Sequence, residues 1–522
     1  MAIVIGKSRV SLHMAIMQDF NWNKLQNGSD IRGVAIEGVP NENVNLTPEI
    51  AKILGQSFAS WLSQKLNKST DQLTIGVGRD SRLSGPTIMD AVMDGITSVG
   101  SHVNNFEMAS TPAMFMSTIT AGFECNGAIM LTASHLPFNR NGLKFFTTAG
   151  GLEKQDISAI LTLAATNKFA IATLKGEISK RDFMSVYANQ FVDQIRAAVN
   201  HPTNFEQPLI GLKIIVDAGN GAGGFYADRV LQPLGADTTG SQFLDPDGTF
   251  PNHVPNPEDP DAMAAICQAV IAHQADFGII FDTDVDRSAA VDSTGKELNR
   301  NRLIGLISAI VLQEHPNSTI VTDSITSDGL TQFIQQDLGG THHRFKRGYK
   351  NVINESVRLN QSGQKSWVAI ETSGHAAMKE NHFLDDGAYL VSKLLIELAK
   401  SRLAGKRLTD LIANLQEPIE SKELRIKINA DDFQEVGDRV ITQMEVFAVS
   451  HPDWKIVPNN FEGVRVSCTS DSEDGWFLLR LSLHDPVIPV NIESNTAGGV
   501  DRIKQRLLSF LKTQESLDLA AF

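Results

Sequence analysis

Apolar, β-branched runs that stop at an acid or a glycine recur along this chain. They lie at Leu73–Asp80 (LTIGVGRD), Leu212–Asp217 (LKIIVD), Phe277–Asp282 (FGIIFD) and Ser318–Asp323 (STIVTD), and an amphipathic stretch follows each. Strands that are apolar throughout are buried on both faces, and their alternation with helical patterns predicts α/β units. Chemistry in such sheets gathers at the carboxyl ends of the strands. The loops that carry these acids are therefore the first candidates for a site. The C-terminal part has a different texture. Strands are predicted at Leu424–Ile428, Val464–Ser467 and Phe477–Leu483, with a closing helix near Val500–Lys512, which reads as a smaller α+β domain.

Polar, proline-containing breaks at 201–208 (HPTNFEQP), 315–318 (HPNS) and 415–423 (LQEPIESKE) separate these patterns. They predict four domains, 21–205, 206–314, 315–420 and 421–522. A length of 522 residues agrees, since domains average about 150 residues.

Composition narrows the class. A net charge of −14 disfavours a nucleic-acid partner but leaves room for a small anion in a local basic pocket. No run approaches the length needed to span a bilayer, so no membrane association is expected. The first residues lack the apolar stretch of a secretory signal; residues 1–17 carry Lys7 and Arg9 without acids, which leaves an organellar transit peptide open. Cys125, Cys267 and Cys468 show no metal or disulfide spacing, which suggests a reducing, cytoplasmic setting.

Four loops carry candidate chemistry. Thr132-Ala133-Ser134-His135-Leu136-Pro137 follows the apolar run Gly127–Leu131, which places Ser134 just past a strand end. A serine hydroxyl is a weak nucleophile unless activated, and His135 and Lys144 are nearby candidates for proton transfer or anion stabilisation. Asp282-Thr283-Asp284-Val285-Asp286-Arg287 sets three carboxylates at alternate positions, which share one side if the loop is extended. Hard oxygens at such spacing suit Mg²⁺, whereas Arg287 and Ser293 stand where an EF-hand needs Gly and Glu. Arg287 would offset part of this charge or contact a substrate phosphate. In Glu371-Thr372-Ser373-Gly374-His375, Glu371 and Ser373 can accept from and donate to sugar hydroxyls. In Arg480-Leu481-Ser482, an arginine fork beside a hydroxyl suits a phosphate. Each motif alone is also compatible with a solvated turn.

Two further segments compete for attention. Gly219–Gly224 (GNGAGG) satisfies a dinucleotide pattern, but Asp217 and Ala218 separate it from its strand, so NAD binding is disfavoured. Gly78–Arg82 (GRDSR) reads as a charged turn or as a source of Arg79 or Arg82 for a surface site.

Taken in order, Asp30-Ile31-Arg32-Gly33, TASHxP, DxDxDR and ExSGH resemble the α-D-phosphohexomutase superfamily, and most of all its phosphomannomutase/phosphoglucomutase members. The resemblance runs from about Asn27 to the C-terminus. It implies three related α/β domains with mixed sheets around a central cleft, plus a smaller α+β domain that closes over a sugar phosphate. It implies that Ser134 carries a phosphoryl group, supported by His135 and Lys144. Asp282, Asp284 and Asp286 then match Mg²⁺ ligands, with the phosphoserine as a fourth. Glu371 and Ser373 match residues that grip sugar hydroxyls, with Gly348 and Tyr349 in the specificity loop. His375 and Arg32 match candidates for proton transfer and charge stabilisation, and Arg480 and Ser482 match the phosphate clamp.

The chain departs from the family pattern in places. Leu136 replaces an Asn, Ile370 replaces a Gly, and Leu483 and His484 replace the clamp's Gly and Thr. Arg465 rivals Arg480, but Arg480 alone keeps Ser two and Pro six residues later. The implied reaction interconverts hexose 1-phosphate and hexose 6-phosphate, with glucose 1,6-bisphosphate as activator. The alternatives are a phosphoglucosamine mutase, a metal-dependent sugar phosphatase and a non-catalytic sugar-phosphate-binding protein. The expected partner is a small sugar phosphate, with no nucleic acid and no membrane; monomer and dimer both stay open.

Overall fold

Four sheets organise the chain in a computed structural model that describes residues 20–169, 171–482, 485–520 and 522. Lys7 and Arg9, the 1–17 segment and the Leu483 and His484 replacements lie outside the described residues. The first sheet is mixed. Its order is Gln26–Asn27, Asp30–Val34, Arg140–Thr147, Gly127–Leu131, Thr74–Arg79, His102–Met108 and Ile178–Lys180, with Gly150–Gly151 pairing beside Arg140–Thr147. Thr74–Arg79 runs parallel to both His102–Met108 and Gly127–Leu131, with Arg79 opposite Leu131. Arg140–Thr147 then returns antiparallel beside Gly127–Leu131. Gly127–Leu131 is buried at every position, as an apolar run covered on both faces should be.

The second sheet runs Glu297–Leu298, Ser288–Asp292, Phe277–Phe281 and Ile214–Asp217. Phe277–Phe281 is parallel to Ile214–Asp217 and antiparallel to Ser288–Asp292. In the third sheet Thr319–Thr322 lies between Thr341–Arg344 and Ser366–Ile370, parallel to both, and Ala376–Met378 returns antiparallel beside Ser366–Ile370. The fourth sheet is antiparallel in order Trp454–Ile456, Val464–Cys468, Gly475–Leu479, Val487–Ser494, Glu420–Ile428 and Leu517–Asp518. Helices Phe433–Val449 and Gly499–Leu511 contribute Val440, Met444, Ile503 and Leu507 to its core.

Two expectations are corrected here. The run at Phe277–Asp282 is followed by an antiparallel strand, not a helix, so the acidic segment is a hairpin loop. The predicted strand Phe477–Leu483 ends at Leu479, because Arg480 and Ser482 peel away, although their amides still reach Pro489 and Val487 carbonyls at 3.2 and 3.1 Å.

By contact density the chain divides into two units, one comprising residues 1–298 and 384–405, the other 299–383 and 406–522. The first holds the first two sheets and the helix Gly387–Leu403; the second holds the strands Thr319–Thr322, Thr341–Arg344, Ser366–Ile370 and Ala376–Met378 and the fourth sheet. Among the described residues no helix is long and apolar enough to cross a membrane.

Candidate active site

Three of the four chemistry loops share one construction. Residues 132–139, 282–287 and 371–375 each join a parallel strand to the antiparallel strand beside it. The acids of the strand-to-helix repeats do a different job. Asp80 braces Arg82 at 3.3 Å, Asp217 accepts from His253 at 3.1 Å, and Asp323 accepts from the Thr372 hydroxyl at 2.7 Å.

In the first unit, Ser134 has a left-handed backbone (φ 52°) and is buried. A serine held there needs outside support, because that region is unfavourable for a side chain with Cβ. Arg82 supplies it. Its Nη1 donates to the Pro137 and Arg140 carbonyls at 2.8 and 3.0 Å, and its Nη2 to the Ser134 and Leu136 carbonyls, the latter at 2.6 Å. Arg82 is fully buried, so the surface-site reading of GRDSR is wrong for it: the guanidinium grips the Ser134 loop from inside. Burial pushes the Asp80 carboxyl up to about 6, opposed by Arg82 beside it.

The Ser134 hydroxyl donates to Asp282 Oδ2 at 3.3 Å, accepts from Arg287 Nη2 at 3.2 Å and lies 3.2 Å from His135 Nδ1. Arg287 also donates to His135 Nδ1 at 2.7 Å, to Asp282 Oδ2 at 3.1 Å and to Asn256 Oδ1 at 2.8 Å. Burial alone would lower the Arg287 pKa, but the charges of Asp282 and Asp286 outweigh it and raise it. Lys144 Nζ sits 2.8 Å from Asp284 Oδ2 and 2.5 Å from Asp286 Oδ2.

Asp282, Asp284 and Asp286 offer ligand atoms within 4.8 Å of one another, all buried. The loop is not extended, as alternate spacing had suggested. It turns at Val285, whose φ of 66° is costly for a β-branched residue, and the turn is what converges the carboxylates. Thr111 ties down this turn: its amide donates to the Asp284 carbonyl at 2.8 Å and its hydroxyl to Asp284 Oδ2. The Gly387 amide adds a bond to the Val285 carbonyl at 3.0 Å. Burial first, then Asp286 and Asp284, push the Asp282 carboxyl well above the usual range. Asp284 Oδ1 is buried with no hydrogen-bond partner. An orphaned carboxylate oxygen within a set of hard donors fits a divalent cation.

Arg32 lies opposite Gly142 on the strand Asp30–Val34, 3.2 Å from Asp30, with a buried Nε that has no hydrogen-bond partner. The glycines of 219–224 serve neighbouring backbone. A Cβ on Gly221 would lie 2.7 Å from the Thr283 carbonyl, and one on Gly223 would lie 2.9 Å from Phe281, so this loop props the acidic turn from behind. No α-helix follows them, as a dinucleotide fingerprint needs; the segment Tyr226–Leu231 is a π-helix.

In the second unit, Glu371 is buried and accepts from the Gly348 amide at 2.6 Å. Gly348 has φ 116°, which only glycine adopts readily, and it opens the helix Tyr349–Gln361. Burial, with Asp323 nearby, pushes the Glu371 carboxyl up to about 7, while His375 and Arg347 pull it down. Tyr349 stacks on His375 at 5.1 Å between centroids. Ser373 Oγ is buried with no partner. Arg480 Nε is likewise buried without one, and burial holds the guanidinium below its ordinary pKa against the pull of Glu462. Ser482 is half-buried and accepts from the Asp485 amide at 3.3 Å.

Arg465 has both terminal nitrogens engaged and only its Nε without a hydrogen-bond partner. It stacks on Trp476 at 3.5 Å and donates to the Ser324 and Thr326 carbonyls at 2.9 and 3.0 Å. Burial and the neighbouring Arg344 push its pKa down to about 9.

The sequence-predicted residues thus fall into two groups. Ser134, His135, Lys144, Arg32, Arg287 and the three acids lie in the first unit; Gly348, Tyr349, Glu371, Ser373, His375, Arg480 and Ser482 lie in the second. Arg82, Thr111 and Asn256 were missed as supports. Only Arg82 had a local signal, an arginine two residues after an acid at a strand end.

Comparison with known proteins now decides the lineage. The family of phosphoglucomutase/phosphomannomutase matches through its alpha/beta/alpha domains I, II and III, over residues 23–170, 189–295 and 299–419. The chain belongs to that family. A phosphomannomutase/phosphoglucomutase of Pseudomonas putida is 30% identical over 87% of this chain and 91% of its own length. A phosphoglucomutase of Neisseria meningitidis is 29% identical over 94% of this chain and 96% of its own. The crystal structure of a phosphoglucomutase/phosphomannomutase family protein from Burkholderia thailandensis superposes with a TM-score of 0.75 at 25% identity, covering 97% of this chain and 99% of that one. The superfamily resemblance and the mixed α/β class read from sequence both hold. This family depends on metal, and among the described residues Asp282, Asp284 and Asp286 form an acidic group that could hold one.

Proposed function

We propose that this chain, an isomerase of the hexose-phosphate mutase class, interconverts hexose 1-phosphate and hexose 6-phosphate by carrying the phosphoryl group on Ser134. The observation that supports this reading is the buried Ser134 hydroxyl, set among Arg287, His135 and Asp282 in a loop gripped by Arg82. A neutral hydroxyl needs no such surroundings. A phosphoserine brings a charge of about −2 at neutral pH and would be unstable beside three carboxylates without compensating cations.

Asp282, Asp284 and Asp286 would hold Mg²⁺, with the Ser134 phosphoryl as a further ligand. Bound there, the ion would draw charge from the phosphoryl oxygens. Arg287, His135 and Lys144 orient the phosphoryl group and share its charge. Glu371 and Ser373 grip sugar hydroxyls, Gly348 and Tyr349 shape the specificity loop, and Arg480 and Ser482 hold the phosphate that does not react.

The step is balanced within the pair. The bond from phosphorus to Ser134 Oγ breaks as a substrate hydroxyl bonds to phosphorus. Its proton leaves to a base, for which His375 is the candidate, with Arg32 stabilising charge. The resulting bisphosphate reorients and returns its other phosphate to Ser134. Glucose 1,6-bisphosphate would prime the cycle. The four sheets support a division into domains 21–205, 206–314, 315–420 and 421–522, since the strands of the first three sheets each fall within one range and only Glu420, the first residue of the strand Glu420–Ile428, lies outside the fourth. Three free thiols support a cytoplasmic setting.

The test is a coupled mutase assay with Mg²⁺ on glucose 1-phosphate, mannose 1-phosphate and glucosamine 1-phosphate, each with and without glucose 1,6-bisphosphate. Turnover stimulated by the bisphosphate is expected, with the rate ratio naming the sugar. Stoichiometric release of inorganic phosphate would instead mark a phosphatase. Binding without turnover, in protein shown by intact mass to be phosphorylated at Ser134, would overturn the reading.

A further inference from the structure

Glu462 is absorbed by none of the motifs, yet its carboxylate joins three segments of the second unit. Its Oε2 accepts from the Ser324 hydroxyl, in the loop after Thr319–Thr322, and from the Arg347 amide at 3.1 Å, in the segment that leads to Gly348. Its Oε1 lies 3.9 Å from Arg480 Nη1. The side chain is only 13% exposed, and that of Arg480 only 11%.

The backbone beneath Glu462 is fixed. Asn460 Nδ2 donates to the carbonyls of Glu462 and Gly463 at 2.8 Å each. Gly463 has φ 57°, and a Cβ there would lie 2.0 Å from the Leu479 carbonyl, so this turn is seated on the strand that delivers Arg480. The two bonds to Oε2 fix the carboxylate; the contact to Arg480 is long and one-sided. An arginine in a good carboxylate pair makes two short parallel bonds. Here it makes none, and its Nε has no partner.

We propose that Glu462 is a built-in competitor for the phosphate monoester at Arg480. It holds the guanidinium near the sugar-contact loop while the chain is empty and yields it to the incoming dianion. This rests on the reading of Arg480 as phosphate clamp. A phosphate offers Arg480 the two short bonds that Glu462 does not, so exchange is favourable. The carboxylate's negative charge then weakens anion binding and speeds release, which suits a cycle in which one clamp must let go of a bisphosphate and take it again.

The variant Glu462→Gln tests this on the full-length protein. Its amide oxygen can still accept from Ser324 and Arg347, so the change removes charge and little else. Inorganic phosphate is the probe, with affinity read by calorimetry and folding checked by thermal melting. Removing one half-screened charge should tighten phosphate binding about two- to fivefold. Ser324→Ala, which frees one of the two bonds that fix the carboxylate, should shift affinity in the same direction by less. Arg480→Gln serves as the reference. If it abolishes the bound phosphate while Glu462→Gln and Ser324→Ala leave affinity unchanged or weaker, the clamp reading stands and the competitor role falls. If Arg480→Gln does not change phosphate binding, the clamp reading fails and takes the competitor role with it.

Discussion

The Ser134 region and the Glu371 region use the same hairpin scheme and finish it differently. On the acid loop the unpartnered buried atoms include a pure acceptor, Asp284 Oδ1, beside the Thr283 hydroxyl; in the second unit they include a pure donor, Arg480 Nε, and the Ser373 hydroxyl. An orphaned acceptor among carboxylates waits for a cation. Orphaned donors wait for an oxygen-rich ligand. Around Ser134, moreover, Arg287 and Lys144 are already engaged by Asp282, Asp284 and Asp286. Pre-paired charge of this kind costs nothing to reorganise when a phosphoryl group moves. If the first region serves the chemistry and the second the capture, as proposed, variants in the first lose turnover and those in the second lose affinity.

The largest effect should come from Ser134→Ala. If transfer is covalent, activity falls about 10³-fold or more, with no phosphorylated species in the intact mass. Full activity would abolish the contrast at its root. Next is Arg82→Lys, which can reach only part of the four-carbonyl grip on residues 134–140. A reactive atom displaced by about 1 Å costs on the order of a hundredfold. We expect that loss in kcat with KM nearly unchanged, and a KM-dominated defect would show that Arg82 serves binding instead. Asp284→Asn should weaken Mg²⁺ by about tenfold or more, on the scale of perturbed metal sites. An unchanged metal titration would remove Asp284 from the ligand set.

These residues differ in how legible they were. Ser134 and the three acids were readable because strand, small residue and polar cluster sit together in a few consecutive positions. The turn geometry was not, since the left-handed Val285 depends on Thr111 and Gly387, both distant in sequence. Asp80 and Asp217 looked as reactive as Asp282 from their place at strand ends. Only the structure separates them, by setting Asp282 beside two further carboxylates and the Ser134 hydroxyl, whereas Asp80 and Asp217 hold Arg82 and His253. The choice of Arg480 over Arg465 rested on spacing; the structure adds a physical reason, because Arg465 is stacked on Trp476 with its terminal nitrogens bonded to Ser324, Thr326 and Asp328, whereas Arg480 Nη1 lies 3.9 Å from Glu462.

Glu371 gives the capture region a pH signature. Its carboxyl rises from an ordinary 4.5 to about 7 through burial, with Asp323 adding to it. The folded chain therefore binds a proton more tightly than the unfolded chain. That contribution to stability is complete below about pH 4.5 and is lost as pH rises through about 7. Glu371→Gln should flatten the fall in melting temperature across that window. An identical slope in the variant would mean that the carboxyl is ionised in the fold.

The smallest change separates capture from chemistry most cleanly. Ser373 Oγ is buried and makes no hydrogen bond in the free chain. Deleting a satisfied buried hydroxyl destabilises by about 1 kcal/mol, whereas deleting an unsatisfied one is neutral or favourable. Ser373→Ala should therefore melt at the same temperature or higher without substrate. With sugar phosphate present it forfeits one hydrogen bond of about 1 kcal/mol, so KM rises about fivefold while kcat holds. A matched loss in kcat instead would mean that the hydroxyl acts only in the transition state, and the division between a region that reacts and a region that holds would have to be redrawn.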